Sequence, residues 1–303
     1  MLPRNKQQGD QVMGSIEPRT TRQRGTNASA RDDRVLPLTR WVARVIVPFL
    51  AAAFVVLYGL PGRTTELFAW TIRPDMTPLV MGAGYGAGVY FFYRVATADE
   101  WHTVAPVFLG ITTFTWAMAF ATFLHWENFN HAHYTFVLWV VLYAVTPVLV
   151  PAVWALNRRT DPGVSVEDGE ADRREEVRLP RLVRMVGGGL GVVLTASAVV
   201  LFVRPETMIG AWPWTVSPLT ARVLAGWFAL FGVVNAAAVL DPRWSGARIL
   251  VQSQLLGFAL VLVGVVRSWG DFDPSNALTW GVVGGMTLYL GTVLLLYVAM
   301  ERQ

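Results

Sequence analysis

Apolar residues fall along this chain in long blocks rather than in alternating or helical stripes. Eight blocks, at roughly residues 40–60, 77–94, 102–124, 134–156, 182–203, 217–240, 249–266 and 277–299, approach the ~20 mostly apolar residues that a helix needs to cross a bilayer. They are hydrophobic nearly all round and so carry little moment to say which face meets lipid. The second block, around GAGYGAGVYFFYRV, is the weakest, because its glycines lower its hydropathy. The pattern predicts an all-α, polytopic membrane protein of eight transmembrane helices. The first block follows nearly forty polar residues and is about twice the length of a signal-peptide core, so it reads as a retained helix.

The polar intervals divide the chain. Residues 1–39, rich in Arg, Gln, Thr and Asp, read as a disordered cytoplasmic tail. Residues 40–157 form a first four-helix membrane repeat, and 182–303 a second. Between them, 158–181 mix both charge signs densely and read as a solvated cytoplasmic linker, with Glu170 in i,i+4 reach of Arg174.

The two halves resemble each other. Ala69-Trp70 aligns with Ala211-Trp212, and Thr77-Pro78-Leu79 with Ser217-Pro218-Leu219. Trp101 and Trp244, Trp126 and Trp269, Phe129 and Phe272, and Leu36-Pro37 and Leu179-Pro180 align as well. A tandem 4+4 repeat follows. Because four is even, the halves would insert the same way up, about an axis along the membrane normal. Thr77-Pro78 and Ser217-Pro218 read as an N-cap followed by proline at the first helical position.

Charge then orients the helices. The chain is 53% hydrophobic and 15% charged, against roughly 25% charged in an ordinary soluble domain. Lys and Arg total 25, of which only Lys6 is a lysine. With both termini in the cytoplasm, nearly all of these cations fall on the inner side, and only Arg63, Arg73, Arg204 and Arg267 in outer loops. Positively charged loops resist translocation, so the bias predicts an inner-membrane (plasma-membrane) protein with cytoplasmic ends. The arginines flank apolar blocks and form no single stripe, which argues against nucleic acid as a partner. The absence of cysteine excludes disulfides, thiolate chemistry and Cys-bound metals. No membrane lysine exists to carry a Schiff base.

Candidate chemistry is sparse. HWENFNHAHY places His125, Glu127, His131 and His133 within nine residues, a set able to offer two or three ligands to a divalent metal. The same residues suit a wet turn between helices, or a pH-responsive one. Arg222 is the one charge clearly within a block, away from its ends. It reads either as snorkelling to the headgroups or as holding an anionic ligand. Gly82, Gly84, Gly86 and Gly88, with Gly187/Gly191 and Gly281/Gly285, form GxxxG pairs suited to close helix packing. GAGYGAG lacks the strand a nucleotide-binding turn requires, so no nucleotide is expected. Pro48, Pro106, Pro147 and Pro151 lie in blocks of the first half, where kinks can build transport sites. No cofactor is required by the sequence. The leading expectation is a non-catalytic accessory, assembly or interaction subunit, partnered by the bilayer and by other membrane proteins. The alternatives are an uncoupled small-molecule or lipid permease with a site near Arg222, and a metal-dependent enzyme using the 125–133 loop.

Overall fold

A computed structural model describes residues 32–161 and 177–303. The tail up to residue 31 and linker residues 162–176, including Glu170 and Arg174, lie outside the described residues. The rest is helical, with two isolated β-bridges and no strand among the described residues. The long helices are α1 (Pro37–Phe54), continued by a π turn to Gly59, α3 (Met76–Thr97), α4 (Ala105–Leu124), α5 (Tyr134–Asn157), α6 (Arg181–Val203), α8 (Pro218–Ala237), α9 (Trp244–Arg267) and α10 (Ala277–Glu301). Two single turns, α2 (Thr64–Leu67) and α7 (Glu206–Ile209), lie in loops. Seven of the long helices are long and apolar enough to cross a membrane. The exception is α3, which is long enough at 22 residues but carries the glycine-rich stretch.

Packing follows a crossed pattern. Helix α1 lies on α3 and α6 on α8, while α4 lies against α5 and α9 against α10. The halves then interlock, α3 packing on α9 and α8 on α4. Helices α3, α4, α8 and α9 therefore form the centre, and the outer faces of α6 and α10 are left bare.

Glycines set the tightest crossings. A Cβ at Gly191 would lie 2.4 Å from the Ala236 amide nitrogen and 2.6 Å from the Gly232 carbonyl, where α6 meets α8. At Gly110 it would lie 2.7 Å from the Leu230 carbonyl, where α4 meets α8. Gly82 abuts the Tyr58 backbone, Gly84 the Trp227 ring, Gly86 Phe54 and Leu260, and Gly88 Leu50. Gly187, Gly281 and Gly285, expected at helix contacts, instead have nothing within 4 Å. A GxxxG spacing allows a close approach but does not supply the second helix.

Hydrogen bonds between loops define the bundle's two ends. At the arginine-rich end, the Val35 N–H donates to the Asp99 carbonyl and the Leu179 N–H to the Pro242 carbonyl, both at 2.9 Å. Buried Asn157 closes this end through hydrogen bonds with the Leu36 amide, the Thr39 hydroxyl and the Arg34 carbonyl. Residues 33–36, expected within the polar tail, are thus fixed in place.

At the opposite end, Trp70 meets Phe129 edge-on at 5.1 Å, and Trp214 meets Phe272 at 5.1 Å. The Asn130 N–H donates to the Ala69 carbonyl and the Asp273 N–H to the Pro213 carbonyl. Trp70 and Trp214 thus make the same kind of ring contact, whereas the letters align Trp70 with Trp212. Likewise Leu179 occupies the place of Val35, one residue from the alignment by letters. A small change in loop length shifts the register that identical letters suggest.

Helix starts differ too. Ser217 caps α8, its hydroxyl accepting from the Thr220 N–H at 3.2 Å. Thr77 lies inside α3 and accepts from the Trp214 indole at 2.9 Å. The cap for α3 comes from the other half, Asp271 accepting from the Met76 N–H at 2.8 Å. Pro106 sits in the first turn of α4, where a proline replaces no helical hydrogen bond, whereas Pro48, Pro147 and Pro151 lie inside helices.

Candidate functional site

Three groups of polar residues interrupt the apolar packing. The first is at the end where α4 stops. His125 caps α4 and, from α8, Arg222 Nη1 donates to its Nε2 at 2.7 Å, while Arg222 Nε donates to the Phe202 carbonyl at 3.0 Å. Two residues 97 apart in sequence, singled out separately, thus form one link between the halves. An arginine is always a donor, so the bonded Nε2 must accept and the imidazole must be neutral. Burial, and then the Arg222 charge, pull the His125 pKa below its ordinary 6.5.

The other members of the 125–133 set take separate tasks. His131 stacks near Trp126 and Phe136, its Nε2 donating to the Trp126 carbonyl at 2.9 Å. His133 caps α5, its Nδ1 accepting from the Thr135 N–H. Glu127 is exposed on a single 3-10 turn. No three His, Asp or Glu side chains are gathered to hold a metal among the described residues.

The link carries a pH prediction. With its folded pKa depressed, His125 binds fewer protons than in the unfolded chain, so its contribution is complete above about pH 6.5 and fades as pH falls through the lowered value. Between about pH 7.5 and 5 the thermal midpoint of the wild type should therefore fall further than that of His125→Gln. Equal falls would show that the link does not contribute.

The second group lines a cavity of about 110 Å³ between α3, α4, α5, α8 and α9, bordered also by α1. Its wall is almost wholly apolar, with Tyr85, Tyr143, Trp227 and Gln254 among the few lining residues that carry polar atoms. Tyr85 and Tyr143 Oη lie 2.9 Å apart, so two hydroxyl hydrogens share one hydrogen bond and one is left over. The buried Gln254 Nε2 and Trp227 Nε1 have no hydrogen-bond partner among the described residues. By contrast Thr115, Thr146 and Ser253 donate to carbonyls of their own helices.

Trp227 and Gln254 also border two lateral grooves, of about 390 and 590 Å³, between α6 and α10. Between α1 and α5 a hollow of about 160 Å³ is lined by Leu138 and Leu142 among others. Gly281 and Gly285 border the groove of about 390 Å³ and present no side chain to it.

The third group lies at the arginine-rich end and involves the histidine outside the HWENFNHAHY loop. His102 is buried just before α4. Its Nδ1 is closely paired with Asp33 Oδ2, and its backbone N–H donates to Asp33 Oδ1 at 3.1 Å. Its Nε2 is 2.9 Å from the Ser245 hydroxyl in the first turn of α9 and 4.0 Å from the Glu100 carboxylate. Asp33 holds a left-handed backbone (φ 50°), which Asp tolerates better than most residues. No sequence motif could reveal this cluster, because its members are 69 and 143 residues apart. The one hint is that His102 and Ser245 follow the matching tryptophans Trp101 and Trp244.

Long apolar helices around an apolar interior, with polar groups at both ends, make this the architecture of a helical multi-pass membrane protein. Comparison with protein-family models, with curated proteins and with solved structures returns no match.

Proposed function

We propose that this chain is a binder or uncoupled carrier of an apolar molecule bearing a hydrogen-bond-accepting oxygen. The observation that supports it best is the cavity at the junction of the halves. The cavity is bordered by Trp227 and Gln254, whose Nε1 and Nε2 are buried without a partner, and each such N–H costs about 1–3 kcal/mol until an acceptor reaches it. A ketone, ester or ether oxygen on a hydrocarbon body meets that need. The site of the permease reading thereby moves from Arg222, whose guanidinium is engaged by His125 and Phe202, to Trp227 and Gln254.

The reading takes α3 as an eighth span, supported by its length and its packing between α1 and α9. It takes the halves as a tandem 4+4 repeat, supported by the crossed packing and the paired loop geometries. It places the arginine-rich end in the cytoplasm of a plasma-membrane protein. On that topology a cysteine at Asn130 should react with an impermeant thiol reagent added outside the cell, and one at Ser165 should not. The reverse pattern would overturn the orientation.

Protein purified in mild detergent should carry a stoichiometric apolar molecule, read by extraction and mass spectrometry. Gln254→Leu/Trp227→Phe should retain at most about a tenth of it, since two charge-neutral hydrogen bonds are lost at about 1 kcal/mol each. A wild type that carries nothing and binds no added apolar ketone would refute the reading. One observation favours the accessory-subunit alternative: Gly281, Gly284, Gly285 and Gly291 leave a face of α10 open to another helix.

A further inference from the structure

From the Asp33–His102–Ser245 cluster we infer a second, catalytic property: Ser245 is an acyl-accepting nucleophile for carboxylic esters of membrane amphiphiles at the arginine-rich end of the bundle. Carboxylate, imidazole and hydroxyl stand in the order used for nucleophilic serine chemistry, which is recognised by geometry and roles rather than by position in the chain. Asp33 holds His102 at two points, one oxygen on Nδ1 and the other accepting the backbone N–H. With Nδ1–H given to the carboxylate, a neutral imidazole would present Nε2 as an acceptor to the Ser245 hydroxyl, 2.9 Å away. That is the direction proton removal requires.

The position of Ser245 supplies the remaining elements. It sits in the first turn of α9, where the N–H of the following Gly246 has no carbonyl of its own helix to reach. Helix N-termini stabilise negative charge, and that N–H is the donor available to a developing oxyanion. Trp101 and Trp244, both buried, precede His102 and Ser245 in the chain at the end of the bundle where α4 and α9 begin, and the ends of membrane-spanning helices lie at the level of the lipid headgroups. Esters whose carbonyl sits at that level and whose tail stays in the bilayer are the substrates this placement favours.

The step balances without a redox partner. Ser245 Oγ bonds to the ester carbonyl carbon as its proton passes to His102 Nε2. The tetrahedral species collapses, the carbon–oxygen bond to the alcohol breaks, and His102 returns the proton to the departing alcohol. Water, deprotonated by the same nitrogen, then cleaves the acyl-serine and releases the carboxylic acid.

A fluorophosphonate probe on the full-length protein in detergent is the first test. Labelling of the wild type should map to Ser245 by peptide mass spectrometry. It should disappear in Ser245→Ala and fall by roughly 100-fold or more in rate in His102→Gln and Asp33→Asn. Thermal unfolding of each variant distinguishes lost chemistry from lost folding. Ser245→Ala should unfold near the wild-type temperature, because its backbone and helix position are unchanged. A folded wild type that takes no label would overturn the proposal and make the cluster a clamp on the segment before α1. Hydrolysis of p-nitrophenyl palmitate in mixed micelles should exceed that of p-nitrophenyl acetate. A preference for acetate would overturn the assignment to membrane amphiphiles.

Discussion

Gly191→Leu should leave little folded protein, whereas Gly187→Leu, one helical turn away, should behave almost as the wild type. At Gly191 the added Cβ would meet backbone on two sides, 2.4 Å from the Ala236 nitrogen and 2.6 Å from the Gly232 carbonyl. Backbone cannot rotate aside as a side chain can, so α6 must move away from α8. Overpacking of this kind costs about 3 kcal/mol or more when no rotamer relieves it. The loss is concentrated on one interface, because α6 packs chiefly on α8. Gly187 has nothing within 4 Å, so a leucine there only adds apolar surface. Size-exclusion profiles and thermal midpoints in detergent, measured side by side, test the contrast. Equal behaviour would show that the α6–α8 crossing is not this close.

Asn157→Leu should be the most damaging single change at the arginine-rich end. The Asn157 side chain is fully buried, accepts from the Leu36 N–H at 3.1 Å and donates to the Arg34 carbonyl at 2.9 Å. Thr39 also donates its hydroxyl to it. Leucine has a similar volume, so no large cavity opens, but the Leu36 N–H and the Thr39 hydroxyl lose their acceptor and the Arg34 carbonyl keeps only the Thr160 hydroxyl, 3.2 Å away. Each costs about 1–3 kcal/mol when buried unpaired, giving roughly 2–5 kcal/mol in total. Asn157→Asp keeps the acceptor but buries a carboxylate against the Arg34 carbonyl, so it should be destabilised as well. Thermal unfolding should place both variants below the wild type. A leucine variant as stable as wild type would mean that water replaces the amide.

Both predictions concern places where two distant segments touch, and there the sequence is least informative. The Asn157 side chain serves residues more than a hundred positions away, and nothing beside it in the chain signals that. The same holds for Asp271, which caps α3 across 195 positions while Thr77 offers the local pattern of a cap. Local capping signals work where the partner is three residues on, as at Ser217. They fail where another element supplies the acceptor first.

The candidate sites divide in the same way. Arg222 and His125 each stood out alone, Arg222 because a charge among apolar residues is costly and His125 because histidines cluster nearby. Their hydrogen bond joins them into one link between the halves. The cluster that drew most notice, His125 with Glu127, His131 and His133, is spread over a cap, a stacked ring and an exposed turn. Closeness along a loop does not make side chains converge. His102, solitary in the sequence, is the histidine with a built surrounding.

The amino-acid sequence dictates the part of the structure that each segment decides alone. Blocks of about twenty apolar residues must be helical in lipid, since a helix satisfies its own backbone hydrogen bonds. Arginine placement depends only on which loop carries the charge, so the grouping of cations at one end was legible as well. Tertiary structure decided everything that needs two segments at once. It settled which glycines meet a backbone, which tryptophans meet Phe129 and Phe272, where the cavity opens, and that Asp33, His102 and Ser245 stand together. Those outcomes rest on contacts of a few ångströms between residues tens to hundreds of positions apart. Helices that are apolar on every side carry no pattern from which such pairings could be read.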